Sequence, residues 1–109
     1  QGETGIDLYW DTSFRNEQID AFRIQIEWSL EKNLPVVIHS RNSFDEIFSV
    51  LHEFRNKQLS GVFHSFTGTL NQAHEAISLG FLLGIGGIVT FKNADLKTVV
   101  KEINPVYII

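Results

Sequence analysis

Apolar residues in this chain follow two rhythms that alternate from the first residues to the last. From Phe14 to Lys32 they recur as Ile19, Phe22, Ile26 and Leu30, at intervals of three and four. That spacing predicts one buried face of a helix, with Thr12 or Ser13 placed to cap its start. Asn33 and Pro35 stop it, and Leu34–His39 then reads as a strand. A second helical face carries Ile47, Val50, Leu51 and Phe54 behind a Ser43 cap, and Gly61–Phe66 is the next strand. Thr69 or Asn71 starts a third helix through Ala73, Ala76 and Ile77, with Gly80 suited to its left-handed C-terminal residue. Phe81–Val89 is an apolar, glycine-rich strand. Asn93 starts a fourth helix through Leu96, Val99, Val100 and Ile103, and Pro105–Ile109 reads as a last strand. With a short strand end at Gly2–Tyr9, the order is five strands separated by four helices.

Strands rich in Val, Ile and Phe on both faces imply a parallel sheet covered by helices. Two architectures fit: an open doubly wound domain, or consecutive units of a (β/α)8 barrel, which needs about 250 residues when complete. The chain has 109 residues, enough for one domain. It lacks methionine and stops inside the apolar run Val106–Ile109, so both ends are read as cuts and the barrel segment is favoured.

In both architectures chemistry sits at the carboxyl ends of the strands. Two strands there end alike: Pro35-Val36-Val37-Ile38-His39-Ser40-Arg41 and Gly61-Val62-Phe63-His64-Ser65-Phe66. Alternation groups Val37 with His39, and Val62 with His64 and Phe66. It also groups Glu3 with Gly5 and Asp7, so Glu3, His39 and His64 converge if these faces turn inward. One carboxylate and two imidazoles suit a divalent cation. A lone strand-end histidine is more often a hydrogen-bonded structural residue, and it is the pair at the same position on successive strands that brings the ligand reading level with that one. His52 and His74 fall on helices in polar company and read as surface residues. Arg41 offers a planar fork for phosphate or carboxylate, or an ion pair to Asp45 or Glu46. Tyr9 and Trp10 are placed to stack on a base or to pack under a helix. Gly84, Gly86 and Gly87 hint at a phosphate cradle without the full dinucleotide spacing.

Composition narrows the chemistry further. There are no cysteines, which excludes disulfides and thiolate metal sites. The net charge of −4 gives no global basic field, so any phosphate-binding surface is local. No run has the length of a membrane span and no signal peptide is visible, so the expected location is cytoplasmic.

Taken together, Gly2-Glu3-Thr4-Gly5-Ile6-Asp7, the two histidine-ended stretches with Thr67-Gly68, and Gly87-Ile88-Val89-Thr90-Phe91-Lys92-Asn93 resemble the TatD family. These are metal-dependent deoxyribonucleases of the amidohydrolase superfamily with a TIM-barrel fold. The resemblance runs through the whole chain in order and spacing. It implies a hydrolase using two divalent ions (Mg, Mn or Zn), with DNA as substrate and no membrane partner. By resemblance, Glu3 matches a carboxylate that bridges or binds the metals and His39 and His64 match histidine ligands. Arg41, Tyr9 and Trp10 match positions near the substrate. The family's His-x-His pair would precede Gln1, and the aspartate of its Glu-Thr-Asp motif would follow the strand begun at Val106. Asn42 departs from the aspartate common after the arginine. The implied chemistry is attack of metal-activated water on a phosphodiester, with Arg41 neutralising phosphoryl charge. Residues 1–109 alone are expected to lack hydrolysis and to self-associate through unpaired sheet edges. The alternatives are another metal hydrolase of the superfamily or a non-catalytic open-sheet binding module.

Overall fold

A computed structural model describes residues 4–7, 13–41, 43–85 and 94–109. Glu3, Tyr9, Trp10, Thr12, Asn42, Gly86, Gly87 and Asn93 lie outside the described residues.

Strands β1 (Thr4–Asp7), β2 (Val36–Arg41), β3 (Gly61–Phe63) and β4 (Phe81–Leu83) alternate with helices α1 (Arg15–Lys32), α2 (Phe44–Glu53), α3 (Leu70–Ser78) and α4 (Ala94–Glu102). The sheet is parallel and its order is β1-β2-β3-β4. A doubly wound sheet reverses direction at a switch point. Here each strand pairs with the one made just before it, as in a barrel wall.

Register shows which side the helices cover. Val36, Gly61 and Phe81 form one row across the sheet, and Ile38, Phe63 and Leu83 form another two residues on. Every side chain in these rows is buried. The row between them, Val37, Val62 and Leu82, is half-buried to exposed. The buried rows meet Phe22 and Ile26 of α1, Ile47, Phe48, Val50 and Leu51 of α2, Ala73 and Ala76 of α3 and Val99 of α4 in one core. Burying each of the larger side chains stabilises the fold by about 1.5–3 kcal/mol. Gly61 is required where it stands, because a Cβ there would run into the backbone carbonyl of Val36.

The helix ends follow local chemistry. Asn33 takes the left-handed conformation (φ 55°), and the amides of Asn33 and Leu34 close the last turn of α1 onto Leu30 and Ser29. Thr69 caps α3 in a full capping box with Gln72. Gly80 follows α3 at φ 97°, the expected glycine conformation. The cap expected for α1 differs from the structure, since Phe14 holds the N-cap position with no side-chain bond. Ser43 holds the N-cap position of α2 as expected and its carbonyl accepts from the Ile47 amide at 2.9 Å, but its side chain makes no cap bond. The Ser43 hydroxyl instead lies 3.0 Å from that of Ser40, which ties the end of β2 to the start of α2.

Three strand expectations are corrected. β2 starts at Val36 and runs through Arg41, not Leu34 to His39, so Arg41 is the last strand residue, opposite Asp7. β3 ends at Phe63, because Ser65 adopts φ 51° and breaks the extended backbone. The fifth strand is not formed: Pro105–Tyr107 is a short 3-10 helix, and only Ile108 makes a single parallel bridge, to Leu83. Pro105 has no N–H to offer a ladder, and the Asn104 side chain takes the amide of Val106 at 3.1 Å.

On the outer surface, Arg23 of α1 grips Glu53 of α2 through two parallel bonds, both 2.9 Å. This hydrogen bonding holds the Glu53 carboxyl below its ordinary value and raises the Arg23 guanidinium above its own. Arg15 bonds Glu46 at 2.9 Å, which engages one of the two carboxylates considered for Arg41. His52 meets Glu75 of α3 at 2.7 Å on the surface, and His74 is exposed, as expected for both.

Candidate metal centre

β2 brings His39 to the carboxyl end of the sheet. Because Val36 and Ile38 point into the helix layer, alternation puts Val37 and His39 on the opposite, helix-free face. Val62 pairs with Val37, so the same count carried two residues on sets position 64 beside position 39. β3 has ended by then, yet the backbone keeps the registration: the His64 amide donates to the Ile38 carbonyl at 2.8 Å. His64 and Val62 line one cavity of about 300 Å³ together with Ser65, Gly84, Ile85 and Ile109. His39 is half-buried and His64 exposed. The two histidines therefore stand in adjacent register on the face away from the helices, at the end of the strands where such folds hold ligands.

On β1, Gly5 is the register partner of His39, and a Cβ on Gly5 would strike the His39 carbonyl. Glu3 precedes this strand and is outside the described residues, as are Tyr9 and Trp10. Among the described residues no three His, Asp or Glu side chains gather in one place. The donor chemistry of two imidazoles fits a divalent cation, and a full ligand set needs oxygen donors beyond them.

Phe66 does not share the face of Val62 and His64. The left-handed turn at Ser65 rotates it into the core, where it is 3% exposed. Its ring sits edge-on to Phe63, 6.2 Å between centroids, and to Phe44, 5.5 Å. Its amide donates to the Gly84 carbonyl at 2.7 Å. No local signal marks Ser65 as left-handed, since serine is an ordinary strand or turn residue. The nearby Thr67-Gly68-Thr69 run, rich in turn formers, is the hint that the strand had already finished.

Strands laid down in chain order beneath a single layer of helices, with polar residues gathered at their carboxyl ends, define an α/β barrel segment. The comparisons agree. The family model described as TatD related DNase matches residues 2–109, and the chain belongs to that family. It is 43% identical over 103 residues to the uncharacterized metal-dependent hydrolase YabD of Bacillus subtilis, covering 94% of this chain and 40% of that protein. It is 40% identical over 95 residues to a putative deoxyribonuclease TATDN1 homolog of Enterocytozoon bieneusi, covering 87% and 33%. The crystal structure of YjjV, a TatD homolog from Escherichia coli, superposes with a TM-score of 0.87 at 28% identity, over 99% of this chain and 42% of that one. An uncharacterized amidohydrolase from Saccharomyces cerevisiae shares the fold, with a TM-score of 0.79 at 19% identity. The chain thus spans well under half the length of the relatives it matches.

Proposed function

We propose that this chain contributes to a metal-dependent hydrolase that cleaves phosphodiester bonds of DNA. The observation that carries the reading is the adjacent register of His39 and His64 on the helix-free face at the carboxyl end of the sheet. Membership of the TatD-related DNase family supports it, as does the likeness to a relative named as a putative deoxyribonuclease.

In this reading His39 and His64 supply neutral imidazole nitrogens to divalent cations, and Glu3 adds the carboxylate that such hard-to-borderline ions prefer. Bound there, two ions such as Mg, Mn or Zn would supply a water acidified towards neutral pH and positive charge at the phosphoryl oxygens. Arg41 closes the end of β2 and is the residue whose guanidinium would hold a phosphate bidentately. Tyr9 and Trp10, just past β1, would stack on bases of the substrate. Local charge from the cations and Arg41 lets an acidic protein hold an anionic polymer.

The test uses the full-length protein, stripped of metal and then given manganese, on a labelled DNA oligomer beside RNA, phosphotriester and amide substrates. Manganese-dependent cleavage of DNA that disappears in His39→Ala supports the proposal. Turnover of an amide or phosphotriester with DNA left intact assigns the site to another hydrolase of the superfamily. Binding of DNA with no turnover of any substrate assigns it to a binding module.

A further inference from the structure

The turn after β3 holds its histidine in an unusual way. His64 lies beyond the strand, so the sheet ladder no longer fixes it on both sides. Three other features fix it. Its amide is bonded to Ile38 of β2 at 2.8 Å, and the amide of Phe66 is bonded to Gly84, just past β4, at 2.7 Å. Between them, Ser65 is held at φ 51°, a conformation that a residue with a Cβ adopts only when its surroundings compel it. Next to it in the chain is the Phe66 ring. It is 3% exposed and seated against Phe63 and Phe44. The seat is left open by Gly68, where a Cβ would come within 2.7 Å of the ring's tip and of the Gln72 amide oxygen. Phe44 is also the first residue of α2, stacked on Phe48 at 5.9 Å. One aromatic cluster therefore grips both the turn that carries His64 and the helix that follows the strand of His39 and Arg41.

We propose that Phe66 is a positioning residue for His64: its buried ring enforces the left-handed turn at Ser65 and so holds the imidazole in register with His39. Phe66 touches no reacting atom. It acts through the backbone, as an anchor two residues away. The role rests on the reading of His64 as a metal ligand, but the backbone part stands on its own geometry.

The test uses the full-length protein freed of metal. Phe66→Leu removes the ring, and Gly68→Ala pushes on its tip while leaving it in place. Phe81→Leu is the control, because Phe81 is buried in the same aromatic cluster, 5.3 Å from Phe63, but at the opposite end of the strands. Two readouts are taken: manganese affinity by calorimetric titration, and hydrogen exchange of the His64 and Phe66 amides in the metal-free protein. Phe66→Leu and Gly68→Ala should weaken manganese binding about tenfold, the scale of losing a ligand's support, and speed exchange of both amides. Phe81→Leu should lower stability without moving either readout selectively. If Phe66→Leu changes both no more than Phe81→Leu does, the ring is ordinary packing and the proposal is overturned. His64→Ala sets the scale for affinity. Should it leave manganese binding unchanged, the metal reading fails, and selective exchange at the turn then decides the positioning role alone.

Discussion

The His64 amide donates to the Ile38 carbonyl at 2.8 Å, one residue after β3 has ended and one residue before His39. That bond carries the pairing of β2 and β3 past the end of the shorter strand. It sets the two histidines in adjacent register without asking either to support the core, since His64 is exposed and His39 half-buried. His64→Ala in the full-length protein should therefore cut metal-dependent DNA hydrolysis by at least about a hundredfold, on the scale of losing a metal ligand with its support, and leave the melting temperature nearly unchanged. Kinetics with manganese and a thermal melt check both halves. Full activity at full metal content in the variant rules the ligand out.

Arg41→Lys tests the phosphate role. An ammonium keeps the charge but cannot make two parallel bonds to one phosphate. The expected result is a raised KM or a reduced kcat on a DNA oligomer at unchanged metal occupancy. A lysine variant equal to the parent in both would leave Arg41 as a structural cation.

The core prediction concerns Phe63, which is 1% exposed and makes ring contacts to Phe44, Phe48, Phe66 and Phe81. Phe63→Ala should cost about 3–5 kcal/mol, read from the shift of a denaturant midpoint, because the surrounding rings can only partly close the hole. By contrast, Thr69→Ala removes one capping bond at an exposed helix start and should cost about 1 kcal/mol. A ratio near unity between the two would show that the cluster is looser than its geometry.

The Arg23–Glu53 fork gives a pH prediction. Arg23 holds the Glu53 carboxyl below its ordinary value of 4.5. The pair therefore contributes stability above that value and loses it as the pH falls through the lowered one. Glu53→Gln should reduce the melting temperature at neutral pH, and the difference from the parent should close in acid well below 4.5. Because the pair is exposed, added salt should shrink the gap as well. A gap that persists in strong acid would point to lost packing instead of lost charge.

Much of this layout is legible in the linear pattern, for identifiable reasons. Phe22 and Ile26 announce α1 because only a buried helical face repeats at that spacing, and Val36 and Ile38 announce β2 because a covered strand is apolar on the covered side. Thr69 with Gln72 is a cap readable from residue type alone. What the pattern misreads are places where one backbone angle or one missing donor overrides an apolar run. Ser65 turns left-handed and sends Phe66 to the wrong face, and Pro105 converts an expected strand into a 3-10 turn. The Asn-Pro pair at 104–105 is a turn signal that competes with the apolar run Val106–Ile109. Of the candidate site, His39 and His64 could be grouped from strand register, whereas the anchoring of the His64 turn depends on ring packing between segments distant in sequence.

The strand order β1-β2-β3-β4 has a consequence for how the chain acquires its shape. Among the described residues no strand waits for a partner synthesised later before it can pair with the preceding one, and each crossover between β1 and β4 carries one helix. Such local pairing lowers the entropy cost of every step relative to sheets whose strands cross over a neighbour. As the chain emerges from the ribosome, each strand from β2 onward meets the one already made, so this stretch of wall can grow in chain order. The edge strand at any moment is then the sticky one, and it stays exposed only as long as the next helix takes to be made.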